Sequence, residues 1–225
     1  MKLKNAEYAA SVRAGKADAL VVVDIQNDFL PGGALAVEGG DGIIPGINGI
    51  INDFFLRGNT VVLTQDWHPP GHLSFASAHP GKKPYDPYAG EGIGPVLWPD
   101  HCVQGTPGAG FHRDFRVEHA HAVIRKGCRP AVDSYSGFVE NDHRTETGLD
   151  GYLRGRGVER IFLCGLALDY CVFYTASDGA DRGYGIFVIA DLTRAVGSPP
   201  ESVEQAVSTM VGKGVVFMES PALTL

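Results

Sequence analysis

The segment GLALDYCV, Gly165 to Val172, puts a thiol directly after an apolar run, Arg160 to Cys164, and ahead of a helix-like stretch, Val172 to Asp181. A short apolar run bounded by glycine reads as a buried parallel strand, and the residues after it as a tight turn and a helix. Cys171 then falls in the first turn of a helix at the carboxyl edge of a sheet. Amide donors and the positive end of the helix dipole favour an anion there, so the thiol is placed to become a nucleophile. Residue type alone favours a cysteine that packs as a small hydrophobe, and other groups must decide. Asp24 ends the first strand, in VVVDIQNDF, where a carboxylate after four apolar residues needs a partner or a task. Lys126 ends the third strand, in AVIRKG. In a parallel sheet these three strand ends lie on one edge. A free cysteine titrates near 8.5, so a neutral-pH thiolate needs roughly 2 kcal/mol of help. An adjacent ammonium and a helix terminus can supply it, and Asp24 can then carry a proton from the thiol to a leaving amine. Read singly, Asp24 could cap a loop and Lys126 could be a solvated loop residue.

A second constellation is Asp66-x-His68 together with His101 in WPDHC. Residues two apart in an extended chain face the same way, so one carboxylate and one imidazole can share a metal. With His101 they form a two-histidine, one-carboxylate set with open positions, which suits Zn, Fe or Mn. His72 is a further candidate ligand. An isolated D-x-H more often marks loop histidines bonded to backbone or water. Cys102 adjoins His101 but points away in an extended chain and reads as structural; Cys128 and Cys164 read as packing residues.

These groups need a frame. Apolar runs at Leu20 to Ile25, Thr60 to Thr64, Ala122 to Arg125, Arg160 to Gly165, Ile186 to Asp191 and Val215 to Met218 are continuous and rich in Val and Ile. Strands covered on both faces have that character. Between them lie helix candidates: Ile43 to Arg57, capped by Asp41, a weaker one at Thr145 to Arg156, and one opened by the capping box Ser198-Pro-Pro-Glu201 and running to about Gly212. The alternation predicts an α/β fold, a single-domain open, mostly parallel six-stranded sheet with helices on both faces, spanning 1–225. Ligands in such sheets bind beyond the carboxyl ends of the strands. One connection breaks the rhythm. Gln65 to His121 shows no clear long helix or strand, yet holds His68, His72, His79, His101, His112, His119 and both tryptophans. So long a stretch inside a compact domain is usually functional.

Composition narrows the partners. With 225 residues, 44% of them hydrophobic, and a net charge of −7, the chain is large enough for a real core and ill suited to nucleic acid or anionic membrane. Its longest apolar runs, about six residues, fall far short of a membrane span. Met1 to Lys16 lacks the apolar core and cleavage site of a signal peptide, and four cysteines without a CxxC pair do not make a disulfide framework. The expected location is the cytoplasm.

DIQNDFLPGGAL, QDWHPPGHLSFAS, WPDHCVQGTPG, the KG before DSYSGF, and GLALDYCV together resemble the nicotinamidases (pyrazinamidases) of the isochorismatase-like hydrolase superfamily, in order from about Leu20 to Met218. GLALDYCV and the first-strand Asp are shared by the wider superfamily; DWHP and WPxHC belong to the nicotinamidase branch. The resemblance implies hydrolysis of nicotinamide to nicotinate and ammonia, and of pyrazinamide likewise. Cys171 would be the nucleophile, Asp24 the acid/base, and Lys126 the support of both. Asp66, His68 and His101 match the family's metal ligands, for one divalent ion with Zn preferred over Fe or Mn; His72 matches a residue that ligates in only some members. It also implies a cis peptide between Leu166 and Ala167, an oxyanion hole from the amides of Ala167 and Cys171, and Phe29, Trp98 and Tyr135 around the pyridine ring. A homo-oligomer is a candidate assembly. The alternatives are another Cys amidase of the superfamily, such as an N-carbamoyl amide hydrolase, a metal oxygenase, and a non-catalytic binding protein.

Overall fold

The chain runs β1 (Val12–Arg13), β2 (Asp18–Val23), α1 (Ile44–Leu56), β3 (Thr60–Asp66), β4 (Ala122–Lys126), α2 (Leu149–Gly155), β5 (Arg160–Leu166), α3 (Cys171–Asp181), β6 (Gly185–Arg194), α4 (Ser202–Gly212), β7 (Val216–Met218) and β8 (Leu223–Thr224) in the computed structural model. Residues 3–6 and 8–224 are described. Six strands form one sheet in the order β4-β3-β2-β5-β6-β7, and every pairing is parallel. Burial explains the unbroken apolar runs: β2 and β3 are buried at every position. The edge strand β4 instead alternates between half-buried and exposed until Lys126.

Strand order sets where a ligand can bind. The β2–α1–β3 crossover moves toward one edge of the sheet, and β5–α3–β6 moves toward the other. Right-handed crossovers running in opposite directions place their helices on opposite faces. Accordingly α1 packs on β2 and β3 through Ile47, Ile51 and Phe54, whereas α3 packs on β5, β6 and α4. Between β2 and β5 the direction switches, and crevices of this kind open at the carboxyl ends of the two central strands. Asp24 follows β2 and Cys171 follows β5 within one turn.

The expected elements recur with shifted ends. No capping box forms at Ser198: α4 starts at Ser202 with no side-chain cap, and the Ser202 hydroxyl goes to Asp169 at 2.6 Å. The Thr145 to Arg156 candidate shrinks to α2, because the Thr145 amide and hydroxyl bond to Asp142 at 2.9 and 2.7 Å. Asp41 begins a 3-10 turn and caps nothing through its side chain. The short parallel pair β1–β8 has no sequence signal. Between β3 and β4 the described residues hold only two 3-10 turns, Ala76–Ala78 and Val117–His119. The stretch is tied down by backbone bonds instead, among them His68 N–H to Cys102 O at 3.0 Å and Trp98 N–H to Ser74 O at 2.8 Å. Among the described residues, no helix is long and apolar enough to cross a membrane.

Candidate active site

Asp24, Lys126 and Cys171 meet at the carboxyl edge of the sheet, as their places at strand ends imply. Lys126 Nζ lies 2.9 Å from Asp24 Oδ2 and 3.3 Å from Cys171 Sγ, donates to Ser134 O at 3.0 Å, and makes a short contact with Asp66 Oδ1. Its side chain is fully buried. The other oxygen of Asp24 accepts the Thr64 hydroxyl at 2.7 Å. Oδ2 faces the ammonium without hydrogen-bond geometry and is a buried acceptor with capacity to spare. Asp24, Asp66 and Cys171 bring one ligand atom each within 4.8 Å of one another.

One ammonium between two carboxylates and a thiol orders their protonation. Burial drives the Lys126 ammonium down, but Asp24 and Asp66 more than reverse this and hold it protonated well above its usual range. Burial raises the Asp24 carboxyl against the pull of Lys126. Asp66 suffers the same burial, yet Lys126, His101 and His68 hold it well below the usual carboxylate range. Burial likewise pushes the Cys171 thiol well up, and Asp24 and Asp66 oppose what Lys126 gives back. The ammonium expected to favour a thiolate is thus shared between Cys171 and two carboxylates. A thiol beside a base of raised pKa suits proton transfer during attack.

The Asp66, His68 and His101 cluster is equally buried. His68 Nε2 lies 3.6 Å from Asp66 Oδ2, and His101 Nε2 lies 3.8 Å from the same oxygen. His68 Nδ1 is bonded to Gly127 O at 3.1 Å and His101 Nδ1 to Pro99 O at 2.8 Å. Backbone carbonyls on Nδ1 hold the rings and turn both Nε2 atoms toward Asp66, the usual support of a ligating histidine. Two such nitrogens and a carboxylate oxygen, mutually within 4.8 Å, fit a divalent metal. His72 is different. Its Nδ1 is bonded to Ser74 Oγ at 2.7 Å and its Nε2 to Val132 O at 3.1 Å, and its ring stands beside His68, with which it and Asp133 form a second set of ligand atoms within 4.8 Å of one another.

Both groups reach one pocket, the first through Cys171 and the second through Asp66 and His101; Phe29, Leu35, Trp98, Asp133, Tyr135, Ala167, Tyr170 and Val196 complete its lining. The three expected aromatics are all there. Trp98 Nε1–H donates to the Tyr135 hydroxyl at 2.9 Å, which donates to Gly94 O at 2.9 Å, and Trp98 meets Tyr170 edge to face at 4.9 Å. Leu166–Ala167 is cis, and the Cys171 amide opens α3, where backbone donors lack intrahelical acceptors. The Isochorismatase domain model matches residues 18–222.

The chain belongs to the isochorismatase domain family.

Within it, a nicotinamidase of Acinetobacter baylyi is 46% identical over 206 residues, covering 90% of this chain and 92% of that protein. The solved structure of an Acinetobacter baumanii nicotinamidase/pyrazinamidase superposes with a TM-score of 0.87 at 47% identity, covering 92% and 98% of the two chains. The pyrazinamidase of Pyrococcus horikoshii, solved in complex with zinc, superposes with a TM-score of 0.74 at 38% identity, covering 90% and 99%.

Several residues of this family member escape a reading of the sequence. Asp133 Oδ1 lies 3.8 Å from His68 Nε2, and Asp133 lines the pocket. Gln26 clasps the backbone of Asp66, accepting its N–H at 2.8 Å and donating to its O at 2.8 Å. Tyr170 forms pocket wall, and Asp169 is buried beside it. The rule that singles out Asp24, a carboxylate set among apolar residues, applies equally to Asp169 in GLALDYCV. Cys102, read as structural, is buried, but its backbone is not extended: φ is +47° and its N–H goes to Asp28 Oδ2 at 2.7 Å. Cys164 packs in the core, whereas Cys128, expected to do the same, is exposed.

Proposed function

We propose that this chain is an amidohydrolase that converts nicotinamide to nicotinate and ammonia, with pyrazinamide as a second substrate. The observation that carries the proposal is that Cys171, bonded to Lys126 beside Asp24, and the Asp66, His68 and His101 cluster both reach one aromatic pocket, through Cys171, Asp66 and His101. In this scheme Cys171 Sγ attacks the carboxamide carbon while its proton passes to Asp24 Oδ2, the acceptor with spare capacity. The oxyanion forms against the amides of Ala167 and Cys171; one such donor is typically worth about 10²–10³ in rate. Asp24 returns the proton to the departing nitrogen, ammonia leaves, and a thioester on Cys171 remains. Water deprotonated by Asp24 then releases nicotinate. Lys126 holds both reacting groups in register and keeps Asp24 from drifting further toward its neutral form.

Asp66, His68 and His101 would hold one divalent ion, with zinc preferred and Fe or Mn as alternatives. When bound it supplies Lewis acidity toward the pyridine nitrogen. Phe29, Trp98 and Tyr135 pack against the flat ring and orient it. Four free cysteines, Cys102, Cys128, Cys164 and Cys171, support a reducing compartment, the cytoplasm.

Ammonia release from nicotinamide by the native protein, a metal-stripped sample and Cys171→Ala tests the proposal. Release by the native sample alone supports both parts of the site. No release from fully metallated protein would move the assignment to another amide substrate of the family.

A further inference from the structure

Three consecutive residues ahead of Cys171 each reach across to the stretch that runs from the last residue of β6 to the first of α4. Leu168 N–H donates to Arg194 O at 2.8 Å. Asp169 accepts three bonds: Val196 N–H on Oδ1 at 2.9 Å, and Gly197 N–H and the Ser202 hydroxyl on Oδ2 at 2.8 and 2.6 Å. Tyr170 donates its hydroxyl to Ser198 O at 2.6 Å. Asp169 is 4% exposed and does not line the pocket, yet its neighbours Tyr170 and Cys171 do, and so does Val196. Asp169 thus makes three of these five hydrogen bonds between the two segments.

We propose that Asp169 is a positioning residue that fixes the turn carrying Cys171 against the Val196 wall of the pocket, so that one carboxylate sets both the thiol's line of attack and the space left for the substrate ring. This rests on the amidohydrolase reading for its rate measurement, but not for its measurement of the thiol. The physical leverage is geometric: displacing a reacting group by about 1 Å costs on the order of 10²-fold in rate. Asp169→Asn keeps the volume and turns one acceptor into a donor facing N–H or O–H groups.

The expected result for Asp169→Asn is a kcat on nicotinamide lowered about 10²-fold, with metal affinity unchanged. The latter holds because Asp66, His68 and His101 come from β3 and the long connection, not from the clamped segments. Asp169→Glu should recover part of the rate. Ser202→Ala removes one of the three bonds and should lower kcat by a smaller factor, which keeps the test open should Asp169→Asn not fold. Alkylation of Cys171 by iodoacetamide, followed by peptide mapping because Cys128 is exposed, should slow in parallel. Wild-type kcat and wild-type alkylation in Asp169→Asn would overturn the inference, and so would a loss of activity that merely tracks loss of metal and of folded protein. If the wild type releases no ammonia while alkylation of its Cys171 still exceeds that of Asp169→Asn, the substrate assignment falls and the positioning role stands.

Discussion

The two halves of the pocket share the Lys126 ammonium but are held in place by different means. Asp24 and Lys126 sit at or just beyond the ends of β2 and β4, so the ladders of the sheet set their spacing, and Cys171 opens α3 one tight turn past β5. Of Asp66, His68 and His101, only Asp66 belongs to a strand. The two histidines ride on irregular backbone and are oriented one at a time, His68 by Gly127 O and Cys102 O, His101 by Pro99 O. Asp66 joins the halves, with Oδ1 toward Lys126 and Oδ2 toward the imidazoles. A strand end places a side chain through bonds that exist for other reasons. A loop must build a bond for each ligand, which explains why so many backbone carbonyls and the Gln26 amide surround this cluster.

If the halves are separable in this way, removing the thiol should silence one and spare the other. Cys171→Ala is expected to lower ammonia release by about 10⁴-fold or more while the metal content stays at the wild-type level; appreciable turnover would end the thioester mechanism. The shared ammonium is where separation should fail. Lys126→Met strands Asp24 and Asp66 in a buried site, and breaking such a cluster typically costs about 3–5 kcal/mol, to be read from urea unfolding. An unchanged midpoint would mean that the two carboxylates are not held by this cation. His101→Ala tests the loop-built half: chelator competition should find metal affinity weakened by at least about 10²-fold, with stability nearly intact.

The smallest effect concerns protonation. Burial raises the Asp24 carboxyl and the Thr64 hydroxyl opposes that rise. As the base, Asp24 works when ionised, so activity is lost as pH falls through its raised pKa. The acid limb of kcat/KM should therefore lie above the ordinary carboxylate range. Thr64→Val should move that limb to higher pH by less than about one unit. A shift in the other direction would assign the limb to a different group or to the coupled pair as a whole.

Legibility in the sequence divides along the same line. The six strands are readable because parallel strands buried on both faces leave continuous apolar runs, and Cys171 is readable because its turn comes directly after such a run. The start of α4 departs from the capping pattern at Ser198, since Tyr170 takes the Ser198 carbonyl and Asp169 takes the Ser202 hydroxyl. Thr145 departs from its helix for a like reason: a local carboxylate, Asp142, captures it. Asp133 and Gln26 leave no signal, because nothing near them in sequence tells where their partners will be.

Local pattern by itself determined the class of fold, the strand ends that bear Asp24, Lys126 and Cys171, and the residue types able to hold a metal. Burial and spacing within a few residues are enough for those. The tertiary structure alone decided how charge is divided among them. The upward push on the Cys171 thiol, the raised Asp24 and the depressed Asp66 all reflect one buried ammonium and three acidic groups, the four brought together from four different strands' carboxyl ends. That arrangement is a sum over distances between residues about 40 to 150 positions apart, and no local pattern carries it.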